Sequence, residues 1–280
     1  MLKDYSKRIF DLIMKPEMKI LPGQLAYFLI LSIFPLLTLL GYIGTKITML
    51  SSPFISIISK ILPSSFNNIL MPFLTNSTIS GNATFVMILG FILVSNGTHS
   101  IIITSDELYG IDYGDYLKRR IKAFLMIFIL IFLFMFVIIV LAYGNIIVNH
   151  IINLQILSRF KDNIYFAFVL IKWPFAFILF FWILKFMYTI APDEEIPSKY
   201  MNKGALFTTI SWIIITFGYS YYVTNFANYS LFYGSLSGII IMMIWIYLLS
   251  FIFVMGIAIN AEEYLAYKNT HKKQKINNNN

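Results

Sequence analysis

SGIIIMMIWIYLLSFIFVMGI, residues 237–257, is twenty-one residues long and holds no charged side chain. As a helix rising about 1.5 Å per residue it matches the roughly 30 Å hydrocarbon core of a bilayer. Helix is also the form that satisfies its own backbone in lipid, and the run lacks the alternating apolar and polar period of a barrel strand. Five further apolar windows precede it, at residues 25–44, 84–103, 123–143, 165–187 and 204–223.

The composition agrees with six spans. Of 280 residues 59% are apolar and 12% charged, with a mean hydropathy of +0.77, against about 45–50% and about 25% in soluble domains. So few charges cannot build a water-facing surface of ordinary size, which leaves no room for a soluble catalytic domain. Cysteine is absent, so disulfide frameworks and thiolate metal sites are excluded. The net charge of +8 sits at the ends of apolar runs, where it orients the chain and meets anionic headgroups rather than nucleic acid. Residues 1–19 are polar and basic and show no signal-peptide pattern.

Lysine and arginine set the expected orientation. The N-terminal segment holds five, the second loop four (Lys118, Arg119, Arg120, Lys122), the fourth loop two and the tail four. The alternate loops hold two, two and none. Both termini are therefore expected in the cytoplasm of a multi-pass plasma (inner) membrane protein. Three regions follow: a basic amphipathic segment over 1–24, the six-span domain over 25–262, and a polar basic tail over 263–280, whose last ten residues, HKKQKINNNN, are expected to be unstructured. Residues 54–62 and 66–74 carry apolar side chains at helical spacing and read as short interfacial helices. The fold class is thus all-α, polytopic, with six transmembrane helices plus short amphipathic interfacial ones.

Three polar features lie within the apolar windows. Lys172, in LIKWPFAF, is about 6 Å from the middle of its span, with all thirteen acidic residues outside the six windows. Two readings stay open: its ammonium snorkels to the outer headgroups, or it lines a wet cavity that receives an anion. Pro174 lies beside it, and Pro35 interrupts the first span. These two prolines occupy the first helices of two three-span halves, a placement compatible with an inverted repeat. SNGTHS, residues 95–100, brings Asn96 and His99 to membrane depth, either as glue between helices or as a proton-handling group. Gly234 and Gly238, four apart, suggest close packing at the start of the sixth span. The candidate cavity residues are therefore Lys172, Pro174, Asn96, His99 and Pro35.

Several stretches occur together in order: LAYFLILSIFPLL (25–37), TIAP before a polar loop (189–192), KGALF (203–207) and YGSLSGIIIMMIWIYLLSFIFVMGIAINAE (233–262). In these the chain resembles the YihY/virulence factor BrkB family over nearly its whole length. The resemblance implies a six-span inner-membrane protein with cytoplasmic ends, and gives Pro35, Tyr233, Gly234, Trp245, Tyr247, Gly256, Asn260 and Glu262 as family positions without a defined role. Many members carry an Asn just after the second span, where this chain reads Asp106 and Glu107. The family has been labelled ribonuclease, linked to serum resistance and suspected of transport. Metal-assisted RNA hydrolysis needs clustered ligands, whereas His99, His150 and His271 are scattered. The expectation is a permease or a lipid or anionic-solute transporter, neither an enzyme nor a nucleic-acid binder, with no cofactor and with membrane lipids as partners. The alternative is a non-transporting envelope-maintenance or scaffolding protein.

Overall fold

The computed structural model describes residues 13–46, 83–112, 114–138, 161–226 and 228–278, with side chains placed over 13–32, 91–112, 114–128, 174–226, 228–234 and 236–270. All regular structure in them is helical. The long helices are α1 (Glu17–Lys46), α2 (Ala83–Tyr109), α3 (Tyr116–Ile138), α4 (Lys161–Ile190) and α5 (Asn202–Asn225). The short α6 (Tyr229–Tyr233) then leads into α7 (Ser237–Asn278). Each of the six apolar windows falls on a long helix, though 139–143 lie outside the described residues. Two helices are long and apolar enough to cross a membrane by their described residues, Ser198–Asn225 and Ser237–Thr270, and Pro174–Ile190 is a shorter apolar helix.

Helix α7 packs on α5, α1 and α2; α2 packs on α1 and α3; α4 leans on α5 and, more lightly, on α3. The described core gathers toward one end of this bundle, where Met18, Leu21 and Leu25 of α1 meet Ile102 and Tyr109 of α2, Leu184 and Tyr188 of α4, and Phe253 and Val254 of α7. We call this the basic end, because Arg119, Lys122, Lys199 and Lys203 surround it. The exterior is apolar instead. Leu117, Ile121, Leu125 and Phe128 form an exposed stripe at helical spacing on α3, as do Phe175, Ile178, Trp182 and Phe186 on α4, and Ile210, Ile214 and Phe217 on α5. Exposed apolar faces of that extent suit lipid rather than water as solvent.

Helices α5 and α7 cross at two glycines. A Cβ at Gly204 would lie 2.0 Å from the Gly256 carbonyl oxygen, and one at Gly256 would lie 2.2 Å from Thr208 Oγ1 and 2.3 Å from the Tyr188 hydroxyl. Because neither glycine carries a side chain, the two backbones touch. Polar groups close the crossing. Asn260, fully buried, accepts the Gly204 N–H at 2.8 Å, which satisfies one of the unpaired donors at the start of α5. Tyr188 donates to Phe253 O at 3.0 Å and shares a 2.8 Å bond with Thr208. Tyr219, whose hydroxyl donates to Ile241 O at 2.8 Å, joins the same two helices farther along.

Two expectations change. Gly234 does not serve close packing: a Cβ there would meet nothing within 4 Å, and its φ of +52° identifies it as the turn into α7, a conformation that other residues rarely adopt. Residues 271–278 are not unstructured either, since α7 continues without a break to Asn278. Residues 261–276 contain no Gly or Pro and are rich in Lys with Ala and Glu, all good helix formers, so nothing stops the helix. Tyr264 and Tyr267 also pack it against Tyr200, at ring-centroid distances of 5.4 and 5.3 Å. The proposed interfacial helices at 54–62 and 66–74 lie outside the described residues.

Candidate functional site

Three chain segments meet at the basic end. Helix α2 ends at Gly110, whose φ of +63° allows a paired cap: Gly110 N–H bonds Glu107 O at 3.2 Å and Ile111 N–H bonds Asp106 O at 2.9 Å. Helix α3 begins because Asp115 Oδ1 accepts the Leu117 N–H at 3.1 Å, which places Arg119, Arg120 and Lys122 in its first two turns. Helix α4 stops at Ile190, and Pro192 has no N–H to continue it. The turn that follows carries Asp193 inward.

These segments are joined by charge. Lys122 Nζ donates to Ala191 O at 3.0 Å, to Pro192 O, and to Asp193 Oδ1 at 3.1 Å. Arg119 Nε lies 3.6 Å from Asp193 Oδ2, while its Nη2 donates to Gly114 O at 3.2 Å. The Asp193 N–H in turn donates to Asp106 Oδ1 at 2.8 Å. Asp106 is itself fully buried, and its Oδ2 has no hydrogen-bond partner among the described residues.

Burial pushes the Asp106 carboxyl up to about 6. The Asp193 N–H, Lys122 and Arg119 oppose the rise, and the Asp193 charge adds to it. Its place in the last turn of α2, at the negative end of the helix dipole, works in the same direction as burial. Between about pH 4 and about pH 6 the native carboxyl holds a proton that an unfolded chain has released, so this group's contribution to stability falls as pH rises through that window. Asp106→Asn is therefore expected to flatten the thermal-midpoint profile of the detergent-purified protein between pH 4 and pH 6, measured against wild type.

The SNGTHS stretch divides between the two roles considered for it. Thr98 Oγ1 lies 2.9 Å from Ala123 O of α3, and Ser32 Oγ of α1 donates to Leu93 O at 3.0 Å beside Gly97, so these residues hold helices together. Asn96 and His99 face the charged cluster instead. Asn96 Oδ1 accepts from Arg120 Nη1 at 2.8 Å, and His99 stands edge-on to Tyr116 with ring centroids 5.7 Å apart. The Arg120 guanidinium also lies over the Phe124 ring, 5.4 Å from its centroid. Pro174 is exposed within α4, which continues through it as helix. The side chains of Lys172 and Pro35 lie outside those described.

Of the family positions, Gly256 and Asn260 form the α5–α7 crossing and Gly234 makes a turn. Tyr233 and Tyr247 are exposed, and Tyr247 packs on Phe251 at 6.5 Å between centroids. Trp245 is half-buried and Glu262 exposed. The site residues that the sequence did not single out are Asp106, Arg119, Arg120, Lys122 and Asp193. Their one visible signal was an acid immediately beyond a span followed by a basic cluster a dozen residues later. Among the described residues no three His, Asp or Glu side chains gather as a metal site would require.

Residues 11–279 match the pattern described as virulence factor BrkB. The chain is 26% identical over 262 residues to the ribonuclease-like protein YfkH of Bacillus subtilis (strain 168), covering 91% of this chain and 90% of that protein. It is 25% identical over 257 residues to a UPF0761 membrane protein of Vibrio atlanticus (strain LGP32), covering 85% and 75%. A UPF0761 membrane protein of Vibrio vulnificus (strain YJ016) is 27% identical over 256 residues with the same coverage. No solved structure matches.

Proposed function

This chain belongs to the virulence factor BrkB family, and on that premise we propose that it is a plasma-membrane carrier of anionic or lipid-like solutes. Six helices cross the bilayer in this reading, both termini are cytoplasmic, and the basic end is the cytoplasmic mouth. The protein then has no enzymatic role and needs neither cofactor nor nucleic acid; lipids are its standing partners. The observation that carries the reading is the Asn96–Arg120 bond at 2.8 Å beside the Asp106, Lys122 and Asp193 cluster. It holds a guanidinium at the inner edge of the second span, where ionisable groups serve solute routes.

The test is uptake by liposomes containing the purified chain, with inorganic phosphate, benzoate and a lysophospholipid as probes. Uptake above empty liposomes is expected for at least one of them. Arg120→Gln and Lys172→Met are each expected to lower it about tenfold, roughly 1.4 kcal/mol in barrier, with insertion unchanged. No uptake of any probe by wild type sinks the carrier reading. The length of α7 supports a second reading, a scaffold that holds partners, under which both variants leave phenotype and partner recovery unchanged.

A further inference from the structure

We propose that Asp106 is a proton-binding site whose occupancy switches the charge of the cytoplasmic cluster, so that a proton and an anion bind together. This deepens the carrier reading, and its coupling to transport rests on that reading. The charged groups that act on Asp106 are Arg119 and Lys122 from α3 and Asp193 from the turn after α4; Glu107, its neighbour on α2, is exposed. With Asp106 ionised, its carboxylate and that of Asp193 both act on Arg119 and Lys122. Arg120, next in sequence to Arg119, is turned to the uncharged amide of Asn96.

One proton from the cytoplasm forms an O–H bond at Asp106 and removes one of the negative charges that act on Arg119 and Lys122. The cluster is then one unit more positive, in a site largely withdrawn from water, where that change attracts an anion more strongly than it would at an exposed surface. The same proton weakens the grip on the turn. A neutral carboxyl accepts the Asp193 N–H less strongly than a carboxylate does, so the 191–193 segment is freer to move away from Lys122 as the anion arrives. Asp106 Oδ2 is the vacant position for the proton, since Oδ1 already accepts that N–H and Oδ2 is buried without a partner among the described residues.

His99 Nε2 and Ser95 Oγ, likewise buried and unpartnered among the described residues, follow on the same face of α2, seven and eleven residues back. They lie about 10 and about 16 Å along the axis from Asp106. These polar atoms continue the site toward the membrane interior, as relay groups do in proton-linked carriers. A titration near pH 6 takes the site from about one-tenth protonated at pH 7 to about nine-tenths at pH 5, a range a cell interior and its surroundings span.

The experiment is infrared difference spectroscopy of the full chain in nanodiscs, following the protonated-carboxyl C=O stretch between pH 8 and pH 4.5, with sulfate as the probe anion because it stays fully ionised. A band with a midpoint near 6 is expected in wild type and absent in Asp106→Asn, which keeps the Oδ1 acceptor. Asp193→Asn, a second variant that keeps Asp106, is expected to lower the midpoint. Sulfate is expected to raise the wild-type midpoint, and by reciprocity to bind at least about threefold tighter at pH 5 than at pH 8. No titrating band between pH 5 and pH 7, or one that survives in Asp106→Asn, overturns the proton site. A band indifferent to sulfate overturns its link to an anion. Because the titration needs no transport, an intact band with no solute uptake would sink the carrier reading alone.

Discussion

Gly204→Ala adds a single methyl group and is expected to cost more than about 3 kcal/mol, beyond the usual range for overpacking. The added carbon would lie 2.0 Å from a backbone oxygen of Gly256, and no rotamer change can relieve a contact with backbone. Either α5 and α7 separate, which strips Asn260 from the Gly204 N–H and Tyr188 from Phe253 O, or the start of α5 unwinds. The expected readout is a several-fold drop in the amount of folded protein recovered from membranes and a large fall in thermal midpoint in detergent. Gly218→Ala is the matched control on the same helix. A Cβ there meets nothing within 4 Å, and removing a helical glycine gains up to about 1 kcal/mol. Equal behaviour of the two variants would show that the crossing does not hold the bundle.

Lys122→Met is the second large effect, expected at about 2–3 kcal/mol. It keeps most of the stem and removes one ammonium that serves three acceptors on the 191–193 turn. Two carbonyls lose a charged donor, and Asp193 is left with Arg119 at 3.6 Å. The turn after α4 then loses its tie to α3, so protease cleavage between residues 191 and 199 is expected to quicken along with the fall in midpoint. Adding Asp193→Asn to this variant should recover part of the loss, because a carboxylate left with only its longer ion pair to Arg119 among the described contacts accounts for much of the cost. A double variant as unstable as the single one would mean that the carbonyl bonds, and not the ion pair, dominate. The exposed pairs Lys203–Glu263 at 3.0 Å and Lys268–Glu194 at 3.4 Å are expected to contribute little by comparison.

The helices were legible because hydrocarbon is an unforgiving solvent: a window without charge, such as 237–257, has few other ways to exist. The site was legible only in part. Asn96 and His99 announced themselves as polar groups inside an apolar window, and the structure turns both toward the charged cluster. Asp106 and Asp193 did not, since 87 residues separate them and a carboxylate beyond a span is ordinary until packing removes it from water. The glycine crossing was hidden for a similar reason. Gly234 and Gly238 stand four apart in sequence and caught the eye, but the backbones that touch belong to Gly204 and Gly256, on different helices. Spacing within one helix reports which residues share its face and cannot say which face its neighbour will offer.

Forty-two residues make α7 about 63 Å long, about twice the thickness of a bilayer's hydrocarbon core. Under the proposed six-span topology, a stiff mast stepped at the Gly204–Gly256 joint stands some 30 Å clear of the lipid. Torque applied at its far end, by whatever grips it there, is delivered to that joint and to the tyrosines bracing it at deck level.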